Sequence, residues 1–336
     1  MIHGEIRKVL HSIRWVIFIF VLLYPVSLFI HQNPYDDETI YYYREYMERF
    51  QGKIDVLKEE EIWEEYKAVY TVKEMNNRCR MAGQPVDVEA EIYADHHWKA
   101  FELLYEKYNR LKNMEEKERY FFYDLPWKVF FQQTENNLFE IFLVVVISVY
   151  MITMEFRDDR LMMLRSTVKG KRGVIYSKQF GLILIAGGIS LLFSFLDTII
   201  ILIREGFGEL SLPLKCILDE TELRISPSVV QYIFLRSMYH ILWIVVLAVV
   251  SMAVGMLIRQ FSLGIFVVIS LLALPLLMEQ LFPFWLRSCM ISFQIAKNSS
   301  ISQFGWGGVL SAAGIGSFCF IFNNICWSQS EKKCGY

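Results

Sequence analysis

Two ionisable residues sit inside long apolar runs, where they have no obvious soluble role. Asp197 interrupts the run 179–203, and Arg236 interrupts the run 229–257. A lone charge in hydrocarbon costs several kcal/mol, so such residues pair, line a polar cavity, or do both. Two kinds of chemistry follow. An interhelical ion pair between Asp197 and Arg236 would fix packing, or the same charges would line a polar translocation path. His240, one turn beyond Arg236, extends the polar face. Glu140 and Glu279 stand near the ends of their runs and read as interfacial.

A second constellation is the stretch Glu155–Lys178, EFRDDRLMMLRSTVKGKRGVIYSK, which lies between two apolar runs. It carries seven basic residues, Arg157, Arg160, Arg165, Lys169, Lys171, Arg172 and Lys178. Loops rich in Lys and Arg stay on the cytoplasmic side of a membrane. Leu161, Met162, Leu164, Val174 and Ile175 interrupt the charges. A loop that only had to be soluble would not need them, whereas an amphipathic segment that docks on a soluble partner would.

Other chemistries find no pattern to support them. No GxxxxGK[ST] phosphate cradle occurs: Lys169-Gly170-Lys171-Arg172-Gly173 lacks both the spacing and the hydroxyl residue. No HExxH is present, and His96 and His97 are adjacent, so on a helix they point to different faces. The acidic run Glu59-Glu60-Glu61 reads as a solvated face. The expectation is a chain with no catalytic residues, no metal and no nucleic-acid partner.

The elements that must position these residues are membrane spans. Hydrophobic residues make up 54% of the 336, yet 21% are charged, a combination that fits spans plus an aqueous part. Spans need about 20 mostly apolar residues. Six runs qualify, roughly 14–32, 137–155, 179–203, 229–257, 262–282 and 304–326. Arg7, Lys8 and Arg14 precede the first and Lys332 and Lys333 follow the last, which places both termini inside. The first run lacks a small-residue cleavage site and reads as a retained anchor. Arg259 and Gln260 make a tight inner turn. Trp127 and the residues after it read as lying flat on the outer surface. Gly308, Ala312 and Gly316 recur at i, i+4, i+8 in the last span. Such a small-residue stripe serves close helix packing, within the chain or at a subunit interface.

The chain therefore reads as an all-α membrane protein in three parts. Residues 1–32 hold an interfacial helix and the first span, 33–136 form an extracytoplasmic helical domain, and 137–336 hold the other five spans. Residues 32–136 contain about 38 of the 70 charged side chains, with an acidic excess of roughly eight. Apolar residues recur there at helical spacing, as in Ile54, Leu57, Ile62, Tyr66, Val69 and Val72. The MAGQPVD stretch breaks the pattern. A helical hairpin with one more helix near 36–51 is predicted, with few strand signals. Cys79 and Cys216 both fall on the outer side, where a disulfide is one possible pairing.

Six spans, both termini inside, no ATP site and a basic amphipathic loop after the second span resemble the permease subunit of an ABC-2-type ABC transporter. The run that carries the resemblance is Glu155, Leu164-Arg165-Ser166-Thr167, Gly170-Lys171-Arg172, Ile175 and Lys178. Val168 stands where a proline is common in the family, and residues 32–136 exceed the family's usual outer loop. The resemblance implies a coupling helix in Asp158–Lys171 that contacts a separate ATP-binding subunit, through Asp158, Arg160, Leu161, Met162, Leu164, Arg165, Lys171 and Arg172. It likens Ile2–Ile13 to an interfacial connecting helix. It also implies ATP and magnesium on that partner, a second permease chain (identical or homologous) and a bacterial plasma-membrane location. The implied cargo is a peptide, a lipid-like molecule or another compound active on the cell envelope, and the implied direction is export. An alternative is a sensor or assembly protein whose extracytoplasmic domain binds a ligand or partner. A signalling domain would normally follow span two in a receptor, and here four more spans follow.

Overall fold

The computed structural model describes residues 7, 11, 14–24, 37–54, 56–82, 88–114, 119–125, 127–128, 130, 138–156, 170–205, 210–217, 227–278, 290–296 and 301–333. Apolar runs become helices here because a backbone surrounded by hydrocarbon must satisfy every N–H and C=O within its own segment. In chain order these are α1 (Arg14–Tyr24), α5 (Leu138–Phe156), α6 (Gly170–Glu205), α7 (Val229–Ile258), α8 (Phe261–Leu277), α9 (Ile291–Ala296) and α10 (Ile301–Lys333). The intervening polar segment supplies α2 (Asp37–Arg49), β1 (Gly52–Lys53), α3 (Val56–Met81), α4 (Val88–Lys112) and β2 (Tyr120–Phe121).

Among the described residues, four segments are long and apolar enough to cross a membrane: Leu138–Phe156, Gly173–Ile200, Val229–Ile258 and Gly308–Gln329. They make this a helical, membrane-embedded protein. Arg14–Tyr24 and Phe261–Leu277 are apolar but shorter. The chain divides into two units. Residues 1–30, 132–204 and 233–336 form the membrane unit, and residues 31–131 and 205–232 form a polar unit.

Within the membrane unit, burial separates the helices into two kinds. The apolar windows of α5 and α7 are each 61% buried, against 22% for α6 and 11% for α10. The first pair forms the centre, with Val145, Val149, Ile152, Trp243, Leu247 and Met252 almost completely enclosed. The second pair turns Leu184, Leu191, Phe195, Phe318 and Ile321 outward, as a lipid-facing surface requires. Glycine permits the closest approaches. A Cβ on Gly255 would meet the Ile152 side chain at 2.7 Å, and one on Gly264 would meet Val149 at 2.9 Å. Between these glycines the chain turns at Arg259, whose φ of 58° lies in the left-handed region that commonly ends helices. Its N–H donates to the Gly255 carbonyl at 2.9 Å, and its guanidinium stands 5.2 Å from the Phe156 ring centroid.

The polar unit has its own core. α4 packs against both α2 and α3. Met47, Phe50, Ile62, Phe101, Leu104 and Leu111 are almost fully buried. A two-stranded antiparallel ribbon, Gly52↔Phe121 and Lys53↔Tyr120, closes the base of the hairpin. The apolar stripe on α3 does not stay in this core: Ile62 is 1% exposed, but Val72 is 51% exposed. Trp127 is 1% exposed in this unit, so the surface position expected from its sequence does not hold. Large amphipathic rings fill cores as readily as interfaces, and only tertiary packing decides between them. Cys216 is buried here, and Cys79 and Cys216 are both free thiols.

One buried carboxylate organises this core. Asp124 is fully enclosed, with Lys107 Nζ at 3.1 Å, Lys128 Nζ at 3.1 Å and Arg110 Nη2 at 3.7 Å. The Tyr43 hydroxyl donates to Asp124 Oδ1 at 2.7 Å. Lys107 also donates to the Phe122 carbonyl at 2.6 Å, and Arg110 to the Cys216 carbonyl at 3.1 Å. Burial alone would raise the Asp124 carboxyl, but Lys107, Lys128, the Tyr43 hydrogen bond and Arg110 together hold it below the ordinary aspartate value of 3.8. Burial pushes Lys107 down to about 8, with Asp124 opposing that fall. Both groups are therefore charged at neutral pH.

A carboxylate with a lowered pKa stabilises the fold above its unfolded value and loses that contribution as pH falls through its folded value. The polar unit should accordingly lose stability on acidification below about pH 4. Asp124→Asn should lower stability by about 3 kcal/mol at neutral pH and flatten the acid dependence. Thermal unfolding of the detergent-solubilised chain between pH 3 and 7 reads both effects. An unchanged acid limb in the variant would show that Asp124 is not its source.

Candidate functional site

α5 carries a buried glutamate near each end, and each has a nitrogen-bearing partner on a different helix, His240 for one and Lys178 for the other. Near its start, Glu140 is 1% exposed and His240 of α7 is 6% exposed. His240 Nε2 stands 2.9 Å from Glu140 Oε2. Near its end, Lys178 of α6 donates from Nζ to Glu155 Oε1 at 2.9 Å, and both side chains are almost fully enclosed. Lys178 Nζ also approaches the Met151 carbonyl at 3.4 Å. The two glutamates stand fifteen residue steps apart, about 22 Å along the helix.

The upper pair belongs to a larger polar cluster. The Tyr24 hydroxyl of α1 donates to Asp197 Oδ1 of α6. Asp197 also interacts electrostatically with Glu140, His240 and Arg236. Asp197 is 9% exposed and Arg236 is 6% exposed. Four helices, α1, α5, α6 and α7, thus contribute to one buried group of two carboxylates, a guanidinium, an imidazole and a phenol. The sequence identified Asp197, Arg236 and His240 as one polar face. It placed Glu140 at an interface and overlooked Tyr24. The structure instead encloses Glu140. Its signal was the match in depth with His240, which helical spacing alone does not reveal.

The lower pair is continuous with a polar seam toward α10. Gln179 donates to the Phe320 carbonyl at 3.1 Å, and Asn324 donates to Gln179 Oε1 at 3.4 Å. Asn323 reaches the Val249 carbonyl of α7 at 3.3 Å. Glu155 and Lys178 are also the first and last residues of the basic stretch, so their bond closes its base. Asp158, Arg160, Leu161, Met162, Leu164 and Arg165 lie outside the described residues. Lys171 and Arg172 fall within α6, but their side chains are likewise outside the described set.

The small-residue stripe faces α7. A Cβ on Gly308 would collide with the Tyr239 hydroxyl, Ala312 is fully buried, and a Cβ on Gly316 would meet Val246 at 3.5 Å. Tyr239 in turn donates to Gln294 of α9. Among the described residues, no group of three or more His, Cys, Asp or Glu could hold a metal ion. Comparison of the chain with protein-family models, curated proteins and solved structures finds no match.

The arrangement can hold four helices in register through buried charge, and it can resist or permit their sliding. Breaking one partner of a buried pair leaves an uncompensated charge, whereas replacing both with apolar residues of similar volume is often tolerated. Glu155→Leu and Lys178→Met should each lower stability by about 3–5 kcal/mol, and the double variant should regain most of that loss. Thermal unfolding in detergent measures the cycle. Additive losses would contradict contact between the two side chains. Glu140→Gln and His240→Gln should likewise be less than additive.

Proposed function

We propose that the chain is the transmembrane permease subunit of an ATP-driven ABC transporter of the ABC-2 type, with no ATP site of its own. The observation that carries this reading is the buried Glu155–Lys178 pair. It joins the two ends of the basic amphipathic stretch and ties them to Gln179 and α10. A loop that transmits force from a soluble motor needs such a fixed base, because motion of a slack loop would not reach the spans.

The six-span reading counts the four long spans and the two shorter apolar helices, Arg14–Tyr24 and Phe261–Leu277. In that topology the segments after the first and third spans emerge on one side. Residues 31–131 and 205–232 form a single unit, as that sidedness requires. The basic stretch 155–178 then lies in the cytoplasm, and the polar unit lies outside the bacterial plasma membrane. Six spans make half of a translocation path, so a second permease chain completes it. ATP binding on the partner subunits would favour one arrangement of the spans over another, by the difference in affinity between the two states. The span sequences carry few polar residues, which suits an amphipathic, lipid-like or peptide cargo moving outward.

The alternative, a sensor or assembly protein, draws on the separate core of the polar unit. The two readings differ in the need for an ATPase. Leu161→Asp, Met162→Asp and Leu164→Asp combined should abolish co-purification of the ATP-binding subunit from native membranes while membrane insertion persists. Retained association with all three replaced would remove the coupling role assigned to this loop.

A further inference from the structure

α2 and α4 of the polar unit border an open cleft of about 550 Å³. Three carboxylate side chains border it, Asp37 and Glu38 from the first turn of α2 and Glu89 from the first turn of α4. Three rings border it as well, Tyr41, Tyr42 and Tyr93. Among the described residues no Lys or Arg does so. Glu38 lies 3.6 Å from His96 Nδ1.

The aromatic wall is built into the fold rather than loosely displayed. Tyr42 and Tyr93 meet edge to face at 5.4 Å, and Tyr41 meets Tyr42 at 5.4 Å. Behind them the His97 ring contacts Tyr42 at 3.9 Å and Tyr93 at 4.4 Å. His97 Nδ1 in turn bonds the Tyr46 hydroxyl at 2.8 Å, which ties the wall to the buried core. Burial also holds the His97 imidazole below its ordinary value, so it stands neutral behind the rings at neutral pH. Ring faces and carboxylates attract the same partner, an ammonium or guanidinium group. Beside the cleft, Val88 and Ile92 are exposed at 65% and 48% on one face of α4, and they offer apolar contact.

We propose that this cleft binds a basic peptide segment, with Lys or Arg side chains on the carboxylates and tyrosines and apolar side chains on Ile92 and Val88. Three separated carboxylates match several cations on one chain better than a single small cation. The proposal does not depend on the ATP-coupled reading. A chain that purifies without an ATP-binding partner would still carry the cleft and its preference for cations.

The test uses the full chain in neutral phosphatidylcholine nanodiscs, titrated with a fluorescein-labelled peptide of alternating Lys and Leu and read by anisotropy. Saturable binding is expected. Asp37→Asn, Glu38→Gln and Glu89→Gln together should weaken it about tenfold. Tyr41→Leu with Tyr93→Leu should weaken it about threefold. Both rings are largely exposed, so an unchanged unfolding midpoint serves as the folding control. Glu59→Gln, Glu60→Gln and Glu61→Gln together remove as many carboxylates from α3 and should leave binding unchanged. Equal losses in the two triple variants would reduce the effect to a diffuse acidic surface and overturn the proposal. So would equal binding of a peptide with Glu in place of Lys, or no binding to the unaltered chain.

Discussion

The membrane unit depends on α5 being held by buried polar contacts at both ends. Glu140 and Glu155 are each enclosed, Glu140 against the His240 imidazole and Glu155 against the Lys178 ammonium, each from another helix. In hydrocarbon there is little hydrophobic driving force between helices, because lipid tails are as apolar as leucine. Specific polar contacts and close packing must then set the register. The two glutamates supply the first, and the glycines at 255 and 264, which let α7 and α8 close on Ile152 and Val149, supply the second. A buried ion pair adds little net stability, since desolvation offsets attraction, but a wrong register would strand a charge. Its effect is to forbid alternatives.

That constraint bears on the proposed transport role. A helix fixed at both ends moves as a rigid body, so displacement at the Glu155 end is carried to the Glu140 end rather than absorbed by bending. The Glu140 end meets Tyr24, Asp197, Arg236 and His240, contributed by three other helices. In the proposed topology this links the cytoplasmic loop to a polar cluster near the outer side through one element. Packed interfaces of this kind switch between discrete arrangements rather than deforming continuously.

Much of this was legible in the sequence, and the limits have physical causes. Helices, their order and the hairpin break at 81–87 followed from periodicity and composition. The intramembrane charges stood out because hydrocarbon makes each one costly. The contact of Glu140 with His240 was not legible because position along a helix does not reveal which neighbour a side chain faces. The pairing of Glu155 with Lys178 was invisible for the same reason, although both residues belong to the run that carried the family resemblance. Trp127 was assigned to an interface from its type, yet it is 1% exposed, and residue type alone does not decide between core and interface. The inclusion of 205–232 in the polar unit likewise depends on long-range contacts, such as Arg110 with the Cys216 carbonyl. Acidic and aromatic residues at 37–42 and 89–93 lie on separate helices, and only the packing of α2 on α4 makes them one cleft.

The polar unit and the membrane unit thus rest on the same device, a buried carboxylate paired with a cation from a separate helix, Lys107 for Asp124 and Lys178 for Glu155. In the polar unit Asp124 serves one core, and in the membrane unit Glu155 serves the base of a loop that the account assigns to a motor. The most direct measurement of that assignment is native mass spectrometry of the chain extracted from its own membrane in mild detergent. The account predicts an assembly containing two permease chains and two ATP-binding subunits. A preparation that retains its lipids but shows this chain without any ATP-binding partner would contradict it.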